Sequence, residues 1–189
     1  NKNILNSISN TINKNNFPNL IMGDHNMKSI NNFLSNKNKS SNLLSSKINL
    51  LNNTDFFTGY CWAFIISRNF LVSKKIKFLN IKTHEDIVFV TKIIANCQSL
   101  VFLKKKFYFH TSMPTSLSRK ISPRMLLSCI IGLKELYKIY ITTKNRHLNL
   151  FITERIKLLI IHMMPLLFLV NNKSLFKYSK LINLNKKVF

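Results

Sequence analysis

Apolar and polar residues divide this chain into three segments. Residues 1–54 are rich in Asn, Ser and Lys, with only short apolar pieces such as 20–22. Residues 55–120 carry apolar residues at both helical and strand spacing, whereas residues 121–189 carry them at helical spacing. The patterns that predict secondary structure most clearly therefore begin at Asp55.

The first half of the middle segment predicts a helix followed by a strand. Residues 55–72 place Gly59 ahead of an apolar stripe with helical spacing. Residues 76–81 then have the composition of a short strand. The stripe that indicates the helix consists of Trp62, Ile65, Ile66 and Phe70.

The second half of the middle segment predicts another helix and another strand. Residues 83–97 contain apolar residues at helical spacing, which predicts a helix, and Thr83 is a suitable residue to begin it. Residues 99–110 alternate between two sides, as a strand does. The polar side of this strand carries Lys104, Lys106, Tyr108 and His110.

The final segment predicts helices. Ser122 and Pro123 are typical of a helix start. A second helix is expected over about 148–164, ended by Pro165, and a third over 173–187. The order helix, strand, helix, strand and then helices indicates an α/β domain with a C-terminal helical appendage.

Composition limits what the charge can mean. The chain has 189 residues, 29 Lys plus Arg, six Asp plus Glu and a formal charge of +23. The excess is spread over all three segments, and Ala is nearly absent, which is typical of an AT-rich coding sequence. Without clustered Arg or an aromatic motif, nucleic acid is not an expected partner. The widely spaced Cys61, Cys97 and Cys129 exclude a disulfide framework.

The few acidic residues make one adjacent pair informative. Glu85 and Asp86 lie at the start of a predicted helix, after a predicted strand. A carboxylate at such a boundary can accept a proton from a hydroxyl nucleophile. The structural alternative is a cap, because Thr83 and Asp86 fit a variant of the capping box and an acid suits the first turn. Spacing alone favours the cap, and the two roles can coexist.

Other polar and aromatic candidates also have structural alternatives. His110 can be a ligand, but a lone His is more often structural. Trp62 can stack on a sugar or base, or it can belong to the core. Ser118 and Arg119 lie in a polar loop in which Arg can hold phosphate, although most such segments are simply loops.

The order of these pieces resembles the acceptor half of GT-A fold glycosyltransferases of family 2, of the bacterial capsule, O-antigen and lipooligosaccharide type. The resemblance covers residues 55–120, and its order and spacing are more specific than any single piece. The matching pieces are Gly59 with Trp62, Arg68–Leu71 with Ile76–Phe78, His84-Glu85-Asp86, Tyr108 with His110, and Ser116–Arg119.

The resemblance implies transfer of a sugar, with inversion, from a nucleotide-diphosphate donor to a glycan or lipid-linked glycan, as in envelope polysaccharide synthesis. Asp86 would be the general base, and Glu85 would orient the acceptor or the backbone. His110 would complete a site for Mn²⁺ or Mg²⁺ and the diphosphate. The residues implied to bind substrate are Gly59, Trp62, Tyr108, Ser118 and Arg119.

One departure concerns the nucleotide-binding half of that family. Its DxD motif should lie about a hundred residues upstream, but only 54 residues precede Asp55. The nearest candidate, residues 22–26, is not DxD and resembles the stretch after it. We therefore expect residues 1–54 to be a remnant of the middle of a GT-A domain. The chain alone would then lack most of its nucleotide site.

The final segment suggests a second kind of partner. Residues 121–189 carry a net charge of +10 on predicted helices with wide apolar faces, which suits an anionic membrane surface. The structural alternative is a helical cap that packs on the rest of the domain and keeps its Lys side chains in solvent. The longest uncharged stretch there, 158–170, is too short to span a bilayer. We expect a cytoplasmic location or the inner face of the cell membrane. The alternative to the enzyme is a basic non-enzymatic protein that binds nucleic acid or an anionic membrane.

Overall fold

A computed structural model describes residues 2–23, 60–103, 108 and 122–169 of the chain. These residues form a mixed α/β structure, as predicted. The helices are α1 (Lys2–Lys14), α2 (Arg68–Ser73), α3 (Glu85–Asn96), α4 (Pro123–Thr142) and α5 (Arg146–Leu169), with a 3₁₀ helix at Cys61–Ala63. The strands are β1 (Leu20–Gly23), β2 (Phe64–Ile66) and β3 (Leu100–Leu103).

The three strands form one sheet with β1 in the centre. β1 pairs antiparallel with β2, where Leu20 faces Ile66, and parallel with β3, where Ile21 faces Val101. Every residue of β1 is buried, because it has a neighbouring strand on each edge and packs in the core. The side-chain oxygen of Asn19 accepts a hydrogen bond from the backbone N–H of Gln98 at 2.9 Å, which anchors the entry to β3 beside β1.

Helix α3 lies in the core and is apolar on nearly all sides. Seven of its twelve residues are buried, and Val88, Val90 and Ile93 have no exposed surface. A helix with this composition is stable only when other elements cover it on several sides. Here α3 contacts the 3₁₀ helix on one side, and α4 and α5 on another. Its position is therefore fixed by burial.

Helices α4 and α5 pack against each other and against α3. A Cβ at Gly132 of α4 would lie 3.1 Å from Leu159 Cδ1 and 3.6 Å from Val88 Cγ2, so glycine permits the close approach of three helices. At the edge of this contact, Lys92 of α3 donates to Glu135 of α4 at 2.9 Å. The helical appendage is thus part of the same core as the sheet.

Two predictions in the middle segment were wrong. Residues 61–72 do not form one helix, because the ladder with β1 draws Phe64–Ile66 into a strand. Helix α2 begins only after Ser67, whose Oγ accepts from the N–H of Phe70 at 3.4 Å. Residues 76–81 form no strand, since β2 and β3 already occupy both edges of β1.

Three other predicted elements are found in the structure, in whole or in part. The helix predicted at 83–97 is confirmed as α3, although it begins after His84 and not at Thr83. Of the strand predicted at 99–110, residues 100–103 form β3; Ser99 and Tyr108 are described but lie outside the strand, and the other residues are not described. The helix start at Ser122 and Pro123 is also confirmed.

Three further outcomes concern the ends of the chain. Helix α5 continues through Pro165, which was expected to end it; the proline is exposed, so the carbonyl it leaves without a donor can be hydrated. Helix α1 and strand β1 were not predicted within the polar first segment. The helix predicted at 173–187 lies outside the described residues.

Candidate functional site

The acidic pair lies at the N-terminus of α3, as its first two residues. The preceding residue, His84, has φ 64° and ψ 12°, which is the left-handed conformation that non-glycine residues seldom adopt. The chain therefore turns sharply into the helix just before Glu85 and Asp86. Because α3 is held by burial, this turn sets where both carboxylates lie.

Asp86 is half-buried, and its surroundings disfavour the charged form. Burial, and then the negative charge of neighbouring Glu85, raise the pKa of Asp86 to about 6. Its Oδ1 accepts a hydrogen bond from the N–H of Ile87 at 2.9 Å, which works in the opposite direction. The predicted capping box does not form, since Thr83 Oγ1 instead lies 3.0 Å from His84 Nδ1.

Asp86 and Glu85 differ from the two other acids that the structure describes, Glu135 and Glu154, in their lack of cationic partners. Glu135 is paired with Lys92 and Lys138, at 2.9 and 3.0 Å. Glu154 is paired with Lys157 at 2.8 Å. Within the described part of the chain, neither residue of the adjacent pair takes part in an ion pair, although the protein carries a charge of +23.

A stack of three aromatic rings is centred on Trp62. The ring of Tyr60 lies 4.9 Å from that of Trp62 at an interplanar angle of 13°, and the ring of Tyr108 lies 4.8 Å away at 22°. Tyr60 and Tyr108 remain 43% and 42% exposed, whereas Trp62 is half-buried. The surface open to a ligand therefore belongs mainly to the two tyrosines.

Cys61 connects the aromatic stack with the acidic pair. It precedes Trp62 in the 3₁₀ helix, which contacts α3. Burial raises the pKa of the Cys61 thiol first, and the negative charges of Asp86 and Glu85 raise it further. The carboxylates are thus close enough to act on a residue adjacent to Trp62, which places stack and acids in one region.

His84 joins the start of α3 to helix α5. Its Nε2 lies 3.1 Å from His162 Nδ1, so one of these nitrogens must donate to the other. Burial, and then the charge of His162, lower the pKa of His84 to about 4. The thiol of Cys129 lies 3.8 Å from His84 Nδ1, and burial raises its pKa to about 11, so it stays protonated. Three helices therefore meet beside the acidic pair.

Not all the predicted site residues can be located. Trp62 and Tyr108 are brought together, and the 3₁₀ helix of Trp62 lies beside Glu85 and Asp86. The other predicted site residues, Gly59, His110, Ser118 and Arg119, lie outside the described residues.

The divalent cation stays a prediction. Among residues 2–23, 60–103, 108 and 122–169, no three His, Cys, Asp or Glu side chains converge as metal ligands. Its proposed ligand His110 belongs to the part that is not described. The described residues alone do not fit a Mg²⁺ or Mn²⁺ site, which requires several oxygen ligands.

Sequence reasoning missed two residues of the site. Tyr60 carried only the signal of an aromatic residue two positions before Trp62, since the 3₁₀ helix that begins at Cys61 was not predicted. His162 carried none, because it is 78 positions from His84 and only the packing of α5 brings the rings together.

The chain was also compared with known proteins. No family model, no curated protein and no solved structure matches it.

The raised pKa of Asp86 predicts a pH-dependent gain in stability on substitution. Because the folded state binds more protons than the unfolded state between about pH 4 and pH 6, the contribution of Asp86 falls as pH rises through that window. We expect Asp86→Asn to raise the free energy of unfolding by up to about 3 kcal/mol above pH 7 and to leave it unchanged near pH 4. Urea unfolding at several pH values measures this. Glu154→Gln is the control, and a pH-independent effect of Asp86→Asn would contradict the assignment.

The contact between the two histidines predicts a shift in the titration of His84. Replacing His162 with Gln removes one of the two causes that lower the pKa of His84, and burial remains. We expect that pKa to move upward from about 4 but to stay below its ordinary value of 6.5. An NMR titration of the imidazole C–H signals follows it. His147→Gln should leave His84 unchanged, and an unaltered curve in His162→Gln would show that the two rings do not interact in solution.

Proposed function

We propose that this chain carries the acceptor side of an inverting glycosyltransferase, similar to the GT-A enzymes of family 2. The donor is a nucleotide-diphosphate sugar, and the acceptor is a hydroxyl of a glycan or a lipid-linked glycan. The supporting observation is the pair Glu85 and Asp86, half-buried at a helix start without a cationic partner among the described residues. Carboxylates kept in this state cost folding free energy, and such groups cluster at functional sites.

The chemistry of the proposed reaction assigns Asp86 the role of base. An acceptor hydroxyl is a poor nucleophile at neutral pH, and a carboxylate within hydrogen-bond reach can take its proton in the transition state. With a pKa of about 6, Asp86 is ionised at neutral pH but is a stronger base than an ordinary carboxylate. Glu85, at the very start of α3, raises that pKa by its charge and orients the acceptor.

The reaction is a single displacement. The acceptor oxygen forms a bond to the anomeric carbon, while the bond from that carbon to the diphosphate oxygen breaks. The hydroxyl proton passes to Asp86 and later to solvent, and the nucleoside diphosphate departs with the bonding electron pair. Attack opposite the leaving group inverts the anomeric carbon.

The aromatic stack supports a carbohydrate as the acceptor. Sugar rings present apolar C–H faces that pack on aromatic rings, and the half-exposed rings of Tyr60 and Tyr108 provide such faces. Trp62 between them makes the platform rigid. The charges of both carboxylates raise the pKa of Cys61, which is the residue next to Trp62. An acceptor bound on the aromatic stack would therefore lie in the same region as the proposed base.

The remaining roles follow the family resemblance. Gly59 would shape the loop before the stack, and Ser118 and Arg119 would bind donor or acceptor. His110 would help to hold a divalent cation, which supplies charge neutralisation for the leaving diphosphate. The described residues form a mixed α/β structure with a three-stranded sheet, and assignment to the GT-A fold is part of the proposal.

The alternative is a basic non-enzymatic protein that binds nucleic acid or an anionic membrane surface. A surface that binds polyanions gains from positive charge and loses from negative charge. The acidic pair beside an aromatic stack is therefore poorly suited to a polyanion. This arrangement favours the enzyme over the alternative.

The role of Asp86 predicts a large loss of turnover on a nearly isosteric substitution. In a protein that contains this chain and is supplied with nucleotide sugar, acceptor and Mn²⁺ or Mg²⁺, Asp86→Asn should lower turnover by about 10²- to 10⁴-fold. Donor binding should be unchanged, because Asn keeps the size of the side chain and its hydrogen-bond acceptor. Glu154→Gln is the matched control. Near-normal turnover of Asp86→Asn would reject Asp86 as the base.

The aromatic stack predicts glycan binding that can be measured on this chain alone. Trp62 is the only Trp, so its fluorescence should change saturably when oligosaccharides bind to the stack. Tyr60→Leu and Tyr108→Leu should each weaken that binding about fivefold, corresponding to roughly 1 kcal/mol per lost aromatic contact. Tyr137→Leu, at an exposed position on α4, should have no effect. A response equal in all three variants would place glycan binding elsewhere.

A further inference from the structure

The C-terminal half of α5 carries an apolar face that the described structure does not cover. Phe168 is 84% exposed and Ile161 is 63% exposed, which is unusual for side chains of their size. Their spacing places them on one side of the helix together with three further exposed residues. This set, here called the α5 face, consists of Ile160, Ile161, Met164, Leu167 and Phe168.

The opposite side of the same helix accounts for its attachment to the fold. Leu166 and the half-buried Met163 pack against the start of α4, in a small cluster with Leu126 and Cys129. Leu159, two turns before Leu166, is fully buried in the main core. The helix is therefore held by one apolar side, and its second apolar side is the α5 face.

The charges around the α5 face point to the chemistry of its partner. No Lys, Arg, Asp or Glu occurs over residues 158–172. Lys157 borders the face on its N-terminal side, with 61% of its side chain exposed, and is paired with Glu154 at 2.8 Å. In the sequence the face is followed by the stretch 170–189, which contains five Lys and no acid. An uncharged apolar surface followed by a basic stretch of chain suits a bilayer interface, in which anionic headgroups surround an apolar interior.

We infer that the α5 face binds the surface of a bilayer that contains anionic lipids. The helix would lie in the interface, since among the described residues no helix is long and apolar enough to cross a membrane. This inference places the membrane contact expected for residues 121–189 on the second half of α5. Helix α4 also exposes Tyr137, Tyr140 and Ile141, but its other apolar residues are largely buried against α3 and α5, and its exposed set is smaller than the α5 face.

A second copy of the chain fits the α5 face less well than a bilayer. Each copy carries a charge of +23, so pairing two copies through surfaces bordered by Lys would bring like charges together. An anionic bilayer reverses the sign of that interaction. Membrane binding does not depend on the proposed sugar transfer, and the two are tested separately.

Flotation of the whole chain with vesicles tests this inference. We expect binding to phosphatidylcholine vesicles containing phosphatidylglycerol, and at least about tenfold weaker binding to phosphatidylcholine alone. The double variant Ile161→Asn/Phe168→Asn should bind anionic vesicles at least about tenfold less tightly, because two side chains no longer enter the interface. The control Leu5→Asn/Val72→Asn changes two apolar residues of similar exposure, 66% and 67%, and should bind normally.

Spectroscopy locates the membrane contact on the α5 face and checks the fold of the variants. Phe168→Trp should give a blue shift in fluorescence on addition of anionic vesicles, beyond any change from Trp62, because indole rings settle at the bilayer interface. Circular dichroism checks that the Asn variants keep their helices. Failure of the wild-type chain to bind anionic vesicles at low salt would overturn the inference, as would unchanged binding of the double variant. Light scattering that shows a dimer abolished by the double substitution, without vesicle binding, would assign the α5 face to a second copy.

Discussion

The burial of α3 on nearly all sides is the constraint on which the rest of this structure depends. An apolar helix with so little polar surface has to be enclosed, and the sheet region and the α4–α5 pair enclose it from different directions. Gly132 lets α4 approach both Val88 and Leu159, so the enclosure is tight. Once α3 is fixed in this way, the position of its N-terminus is fixed as well.

That N-terminus brings together features that are unfavourable by themselves. His84 adopts a left-handed backbone conformation, and Asp86 is half-buried next to a second carboxylate. Each costs folding free energy, which the packing of α3 offsets. Glu135, by contrast, is paired with both Lys92 and Lys138. The state of Asp86 is what supports its proposed role as a proton acceptor.

Helix α5 connects this site with the surface of the molecule. Through His162 it touches His84 at the start of α3, and one residue earlier Ile161 belongs to the exposed apolar face. Pro165 on the same exposed side does not interrupt the helix, since its missing hydrogen bond faces water. The second half of α5 therefore packs on the core, contacts His84 next to the acidic pair, and presents the α5 face to solvent.

The sequence by itself determined the elements whose periodicity is long and strong. Helices α3 and α4, strand β3, the α/β class and the acidic pair at a helix start could all be predicted, because local spacing and turn residues specify them. Tertiary structure alone decided that Phe64–Ile66 is a strand, since only β1 as a neighbour outweighs its helical spacing. It likewise decided that His162 meets His84 and that Tyr108 stacks on Trp62. Such contacts join residues far apart in the chain, and no local pattern encodes them.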